Sequence, residues 1–477
     1  MISGSRWGQT LGGQSGTSDA ERRPARTEFL RSSDAFIWSI EGDAALRSTI
    51  VVLILLDPPP DWQELTNRFE LLSQTVPMFR RRVAPSPGLA PPRWELDSEF
   101  DLAFHVRRVA APAPGDLGTL LEMARIAAMA DFDRARPLWE STLIEGLADG
   151  GAALLCKLNH ALTDGVGAVA LAATLYDRTE QYEERSILEI GAPPAAPPFV
   201  RCWEMVSGGI RYATDAFAAS LNVPAVVAKG IRNPIGALTE ACSTAASIWR
   251  TARPTRRPGS PIMLNRHKGR QVAIHQVPKD RLRRAGWKVG GSLNDAFIAA
   301  VTGGLRRYHE KHAAVAGSFV MTMPISVRTP HDPPGGNRAT LIRLDVPVGV
   351  ADAAHRIRII HELTTKARGE KSLGYTQFIA GALRLAPRWY VRSALRNVDF
   401  IASDVPGFAE QIYLAGAAVR MQYAFSPTLG AAFNVTLLTY ADACALGINV
   451  DTAAIPDVDV FHDCLVAGFD EVLELAC

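Results

Sequence analysis

Apolar positions along the chain fall into runs of two spacings. Residues 50–56 form an unbroken apolar run that stops at Pro58-Pro59-Pro60, which predicts a buried strand too short to span a bilayer. Trp62, Leu65, Phe69 and Leu72 recur at helical spacing and predict a helix over 62–72. Leu120, Leu121, Ala124 and Ala128 do the same for 117–129. Apolar stretches at 142–147 and 152–158 flank Asp149-Gly150-Gly151 and predict two strands joined by a hairpin-like turn. A short helix opening at Asp34 precedes the first strand, Pro-rich loops fill 85–92, and an Ala-rich helix follows over 165–176. Further on, 294–308 reads as a helix capped by Ser292 or Asn294. Strands are predicted at 319–323 and 341–346, around a Pro/Gly loop at 329–336. Helices are predicted at 352–366 and 378–385; the final hundred residues alternate short strands with turns and end in a helix near 461–469.

Two composition changes divide this pattern. Residues 191–198 are almost wholly Gly, Ala and Pro, and 251–261 are rich in Arg and Pro. The chain is therefore expected to have a disordered N-terminus (1–28), a first lobe (29–190), a helical Pro/Ala-rich linker (191–265) and a second lobe (266–477). Both lobes are mixed α/β in the α+β manner. With 477 residues, 47% hydrophobic and 21% charged, the chain can bury a large core. Its net charge of +2 gives no whole-molecule field for nucleic acid. Basic clusters at Arg250–Arg257 and Arg281–Arg284 read as solvated surface, with CoA phosphates or anionic lipid heads as the alternative. Six scattered cysteines with no Cys-x-x-Cys pair predict reduced thiols in a cytoplasmic protein and no zinc site. No apolar signal-peptide core or long apolar run occurs, so membrane contact is expected to be peripheral at most, on an inner-membrane or lipid-droplet surface.

The chemistry concentrates in Lys157-Leu158-Asn159-His160-Ala161-Leu162-Thr163-Asp164-Gly165. His160 stands at the end of a predicted strand, where a loop can aim it, and a near-neutral imidazole can take a proton from an alcohol. The plainer alternative is a histidine satisfied by a neighbour or ion-paired to Asp164 four residues on. Asp164 either caps the following helix or pairs with an arginine from another strand. Gly165 permits a backbone angle or a close approach that a side chain would block. Asn159 cannot act as a base. Asn294, at a helix start, either caps that helix or polarises a reacting carbonyl. Arg136-Pro137-Leu138-Trp139-Glu140 reads as a core clamp. Neither a Gly-x-Ser-x-Gly elbow, a P-loop nor a Gly-x-Gly-x-x-Gly occurs.

The His160–Gly165 pattern resembles the His-His-x-x-x-Asp-Gly signature of the CoA-dependent acyltransferases, with Asn159 at the first histidine. Other blocks are similar to those of the bacterial wax ester synthase/diacylglycerol acyltransferase family: Pro137-Leu138-Trp139, Asn294-Asp295, Pro324-Ile325-Ser326-Val327-Arg328, Gly336-Asn337 and Ser403-Asp404-Val405-Pro406-Gly407. They stand in that family's order over roughly residues 30–470. Asp404 and Phe408 depart from the late block, and the family's early Pro-Met-His-Val element is missing near Ala45-Leu46-Arg47-Ser48. The resemblance implies two chloramphenicol-acetyltransferase-like lobes with a tunnel between them. It implies O-acyl transfer from acyl-CoA, as cosubstrate, to diacylglycerol or a long-chain alcohol, with no cofactor. His160 is then the general base, Asp164 and Gly165 match the motif directly, and Asn294 helps to polarise the carbonyl. Two alternatives stand beside this: a weakly active or inactive relative that binds lipid or a partner, and a condensation-type enzyme using a carrier-protein thioester.

Overall fold

A computed structural model describes residues 28–86, 90–181, 258–326, 336–369 and 376–477. The expected disordered N-terminus, the 191–198 linker, the helical stretch 199–250, the Arg250–Arg257 cluster and nearly all of the 329–336 loop lie outside these residues.

The first half contributes strands β1 (Glu28–Phe29), β2 (Thr49–Asp57), β3 (Arg81–Ala84), β4 (Arg93–Leu96), β5 (Val106–Ala110), β6 (Trp139–Glu145) and β7 (Ala152–Asn159). Its helices are α1 (Ser32–Ile40), α2 (Trp62–Thr75), α3 (Leu102–His105), α4 (Leu117–Met129) and α5 (Gly165–Ala172). The second half adds β8 (Arg270–Pro278), β9 (Ser318–Ser326), β10 (Ala339–Pro347), β11 (Phe400–Val405), β12 (Tyr413–Leu414), β13 (Ala417–Phe425), β14 (Phe433–Tyr440) and β15 (Ala443–Asp451). With them come α6 (Lys279–Lys288), α7 (Leu293–Lys311), α8 (Ala353–Arg368), α9 (Thr376–Leu385), α10 (Arg388–Arg396) and α11 (Val458–Glu474).

Two six-stranded sheets carry the lobes, ordered β12-β13-β2-β7-β6-β5 and β10-β9-β11-β14-β15-β8. The apolar run of β2 is central, pairing antiparallel with β7 on one side and β13 on the other, and this explains its lack of alternation. The division of the chain at 266 is thus crossed by the sheets: β12 and β13 come from the second half but complete the first-half sheet.

Each lobe has its own core. In the second, α7 is buried nearly all round, with Ala296 to Val301 fully enclosed beside Phe461, Leu465 and Phe469 of α11. In the first, Trp139 lies stacked on Phe69 at 5.8 Å and on His105 at 4.6 Å, and its indole N–H donates to the Phe79 carbonyl at 2.8 Å. The expected core clamp is therefore present. A third cluster joins the lobes, packing Val51, Leu53 and Leu120 with Tyr423, Phe425 and Ala445. No helix among the described residues is long and apolar enough to cross a membrane.

Candidate active site

The last residue of β7 builds the turn that presents His160. Asn159 is fully buried, and its side-chain oxygen accepts from the Ala161 N–H at 2.9 Å. Its own N–H donates to the Leu138 carbonyl at 3.0 Å, and the His160 N–H donates to the Ser48 carbonyl at 3.0 Å. Asn159 thus closes a local turn, which an amide oxygen does well. Its Nδ2 is buried without a hydrogen-bond partner among the described residues.

Asp164 is buried and caps α5, its Oδ1 accepting from the Gly167 N–H at 2.7 Å. Its Oδ2 accepts from the backbone N–H of Arg338 at 2.7 Å. The capping reading of Asp164 holds, and the same carboxylate also holds the segment that leads into β10. Gly165 follows as the first residue of α5. A Cβ there would stand 2.9 Å from Cγ2 of Val405, so close approach is the reason for glycine. Gly407, two residues beyond that valine, is pressed harder: a Cβ would meet the Thr439 carbonyl oxygen at 2.1 Å.

Residues 336–338 dock against the His160 loop from the second half of the chain. The Gly336 N–H donates to the Leu162 carbonyl at 2.7 Å, and Thr163 bridges Gly336 in parallel. Asn337, buried, then reaches three ways. Its Nδ2 lies 3.2 Å from His160 Nδ1, its Oδ1 accepts from the Ala339 N–H at 2.9 Å, and its own N–H donates to Asp34 Oδ1 at 3.2 Å. The Ala339 bond orients the amide and sets its nitrogen beside the imidazole. Ser33 Oγ donates to the Asn337 carbonyl at 3.2 Å. Asp34 is buried, and burial pushes its carboxyl up to about 7 against the pull of Arg31 and of its own hydrogen bonds.

Burial also lowers the His160 pKa below its usual 6.5; the nearby Asp164 charge and the backbone carbonyls of His160 and Thr163 oppose this without cancelling it. The imidazole is neutral at physiological pH, the form in which it can accept a proton. It lines two cavities at once, each of about 150 Å³. The first is walled by α1, α9 and α10, with Ile37, Ile40, Ile379, Leu383 and Leu395. The second lies over the first sheet, with Ile50, Val52, Phe69, Trp139, Val405 and Phe408. Among the described residues, only Pro324 and Ala339 line both besides His160. Phe408 narrows the second chamber and packs edge-on to Tyr176 at 5.2 Å.

Of the sequence-predicted residues, His160, Asp164 and Gly165 stand together, and Asn294 does not join them. It lines neither chamber, and its Nδ2 points at Met323 Sδ, 3.7 Å away. The cap of α7 is Ser292, in a reciprocal box with Asp295. Sequence reasoning missed Asn337 and Asp34 as site residues; the Gly336-Asn337 block and the buried polar start of α1 carried the only signal. Among the described residues no group of three or more His, Cys, Asp or Glu could hold a metal ion.

Residues 30–297 match the wax ester synthase/diacylglycerol acyltransferase catalytic domain, and residues 335–472 match the WS/DGAT C-terminal domain. A Mycobacterium tuberculosis (strain H37Rv) protein whose name proposes diacylglycerol O-acyltransferase activity is 32% identical over 96% of this chain and 94% of its own. A second from that organism, similarly named, is 27% identical over 94% of this chain and 97% of its own. Among solved structures, the wax ester synthase/diacylglycerol acyltransferase from Marinobacter aquaeolei VT8 superposes with a TM-score of 0.63 at 22% identity, covering 94% of this chain and 99% of that one. The starter condensation domain of rhizomide synthetase, in complex with C8-CoA and Leu-SNAC, superposes at 0.61 with 11% identity, covering 94% of each chain. Two lobes, a motif histidine at a strand end and family blocks matched along nearly the whole length lead to one assignment: the chain belongs to the wax ester synthase/diacylglycerol acyltransferase family.

Proposed function

We propose that the protein transfers a long-chain acyl group from acyl-CoA to the hydroxyl of diacylglycerol or a fatty alcohol, giving triacylglycerol or a wax ester. The observation that carries this reading is the position of His160, a neutral imidazole where two apolar chambers meet. A thioester in one and an alcohol in the other would present their reacting atoms to the same ring.

His160 takes the hydroxyl proton as the alcohol oxygen attacks the thioester carbonyl. The C–O bond forms, the tetrahedral adduct collapses, the C–S bond breaks, and the proton passes to the CoA thiolate. No acyl-enzyme is needed. Asp164 fixes the loop through the α5 cap, Asn337 orients the ring, and Gly165 lets the Val405 segment close over the site. Asn294 lines neither chamber and takes no step in this scheme. Both lipid substrates reside in membranes or droplets, so the protein works in transient contact with such surfaces.

The test is incubation with long-chain acyl-CoA and either diacylglycerol or hexadecanol, following CoA release and neutral lipid. Transfer by the natural protein and its loss in His160→Ala are expected. Equal transfer by both proteins, or none to either acceptor, overturns the reading.

A further inference from the structure

Helices α9 and α10 present two sides of different chemistry. Inward, Ile379 and Leu383 of α9 and Val391 and Leu395 of α10 wall the first chamber. Outward, Leu385 and Trp389 stand on either side of the exposed Pro387 and are themselves 59% and 71% exposed. An indole left this open forgoes the burial that a large apolar ring normally gains. The charge around it has one sign. Residues 376–396 contain Arg384, Arg388, Arg392 and Arg396 and no aspartate, glutamate or lysine. Within α10 the arginines recur every four residues, and like charges at that spacing on a helix repel one another. Asp43 accepts from Arg392 Nε at 2.5 Å, and Arg396 donates to the Arg266 carbonyl at 3.3 Å. Arg388 is exposed and meets no carboxylate among the described residues.

A second exposed indole, Trp287 at 64%, stands on the basic helix α6. There Asp280 pairs with Arg283 at 3.4 Å, Arg281 donates to the Leu473 carbonyl at 3.4 Å, and no residue of α6 lines either chamber. The α9–α10 face, in contrast, backs directly onto a lipid-sized apolar space. Its start is also tied to the site: Gln377 accepts from the Ser33 N–H at 3.3 Å and donates to Ser33 Oγ at 3.1 Å. A second copy covers this face badly, because in a two-fold dimer the patch meets itself and arginines face arginines. Anionic head groups supply the opposite charge, and the interfacial layer of a bilayer accepts an indole beside them.

We propose that the outer face of α9 and α10 docks the protein on an anionic phospholipid bilayer, Trp389 and Leu385 entering the interface and the arginines meeting head-group phosphates. Seated this way, the first chamber lies about 10 Å from the head groups, one helix diameter, and a lipid reaches it with little passage through water. The inference rests on the acyl-transfer reading for the need of such contact and adds which face makes it.

The test is sedimentation with phosphatidylglycerol vesicles and with phosphatidylcholine vesicles, which needs no turnover. Trp389→Glu, Arg388→Glu and the comparison variant Trp287→Glu all change exposed side chains outside both chambers, and each is first checked for an unchanged melting temperature. The natural protein is expected to bind phosphatidylglycerol more tightly than phosphatidylcholine and to release as salt is added. Arg388→Glu should weaken that binding by at least about fivefold, the worth of one basic side chain at an anionic surface. Trp389→Glu should weaken it as well, while Trp287→Glu binds as the natural protein does. Acyl transfer to a short, water-soluble alcohol should be unchanged in all three. Full binding in both α10 variants, a loss confined to Trp287→Glu, or a natural protein that binds neither vesicle overturns the inference. So does a natural dimer that Trp389→Glu splits, since a second copy would then own the face. Vesicle binding that the α10 variants lose, in a protein that transfers no acyl group, supports the docking face while the proposed function fails; transfer without vesicle binding does the reverse.

Discussion

At the scale of single residues, burial acts on one ring and one carboxyl, lowering the His160 pKa and raising that of Asp34. Replacing His160 by Ala removes the proposed base, and kcat should fall by about 100- to 10,000-fold, the usual worth of general base catalysis, with little change in melting temperature. The pH profile follows from the same burial. The folded pKa lies below 6.5, so the acid limb of kcat/KM should fall away below 6.5 rather than at it. In that window the unfolded chain binds the proton more readily, so this group withdraws stability as pH drops. Asp34 behaves in the opposite sense. Its carboxyl is raised from 3.8 to about 7, so the folded state holds a proton that the unfolded state releases. Stability is therefore lost as pH rises through that interval, and Asp34→Asn should gain in melting temperature over the natural protein at pH 8 but not at pH 4. Equal differences at both pH values would remove Asp34 from this role. His160, Asp164 and Gly165 were legible because their geometry is local: a strand end, a cap and a helix start within six positions. Asn337 was not, because its value comes from touching His160 and Asp34 across most of the chain. Asn294 lies apart from both chambers, and a polar residue near a helix start gives the same signal whether or not a cavity faces it.

At the scale of elements, periodicity served best where one face is buried. The bounds of α4 emerged as expected at Leu117–Met129, and the helix expected over 294–308 runs Leu293–Lys311. Its reciprocal cap explains the firm start, and Ser292→Ala should cost about 1 kcal/mol in chemical denaturation. The strand before the turn begins earlier than its apolar pattern, because Trp139 and Glu140 pair with Leu158 and Lys157. Strand β8 and helix α6 went unread: β8 carries mixed polar positions, and α6 shows its Arg281–Arg284 cluster to solvent while burying Leu282. At the lobe contact, Gly407→Ala should destabilise the protein more than Gly165→Ala. The first would drive a methyl into a rigid carbonyl, whereas the second meets a side chain that can turn.

At the scale of the whole molecule, two lobes and a tunnel were foreseeable from the family blocks, but the exchange of β12 and β13 between halves was not. Nothing in residues 413–425 distinguishes a strand of one sheet from a strand of the other; the pairing of Tyr423 with Leu53 is purely tertiary. The third cluster, joining Val51 and Leu53 to Tyr423 and Ala445, ties the lobes further, so calorimetry should show one cooperative transition rather than two. The crossed strand also bears on synthesis. The long apolar edge of β2 leaves the ribosome early, while its partner β13 is made near the end of translation, on the order of tens of seconds later at usual elongation rates. During that interval the half-finished sheet presents a sticky open edge, so chaperone supply should govern how much protein a cell accumulates.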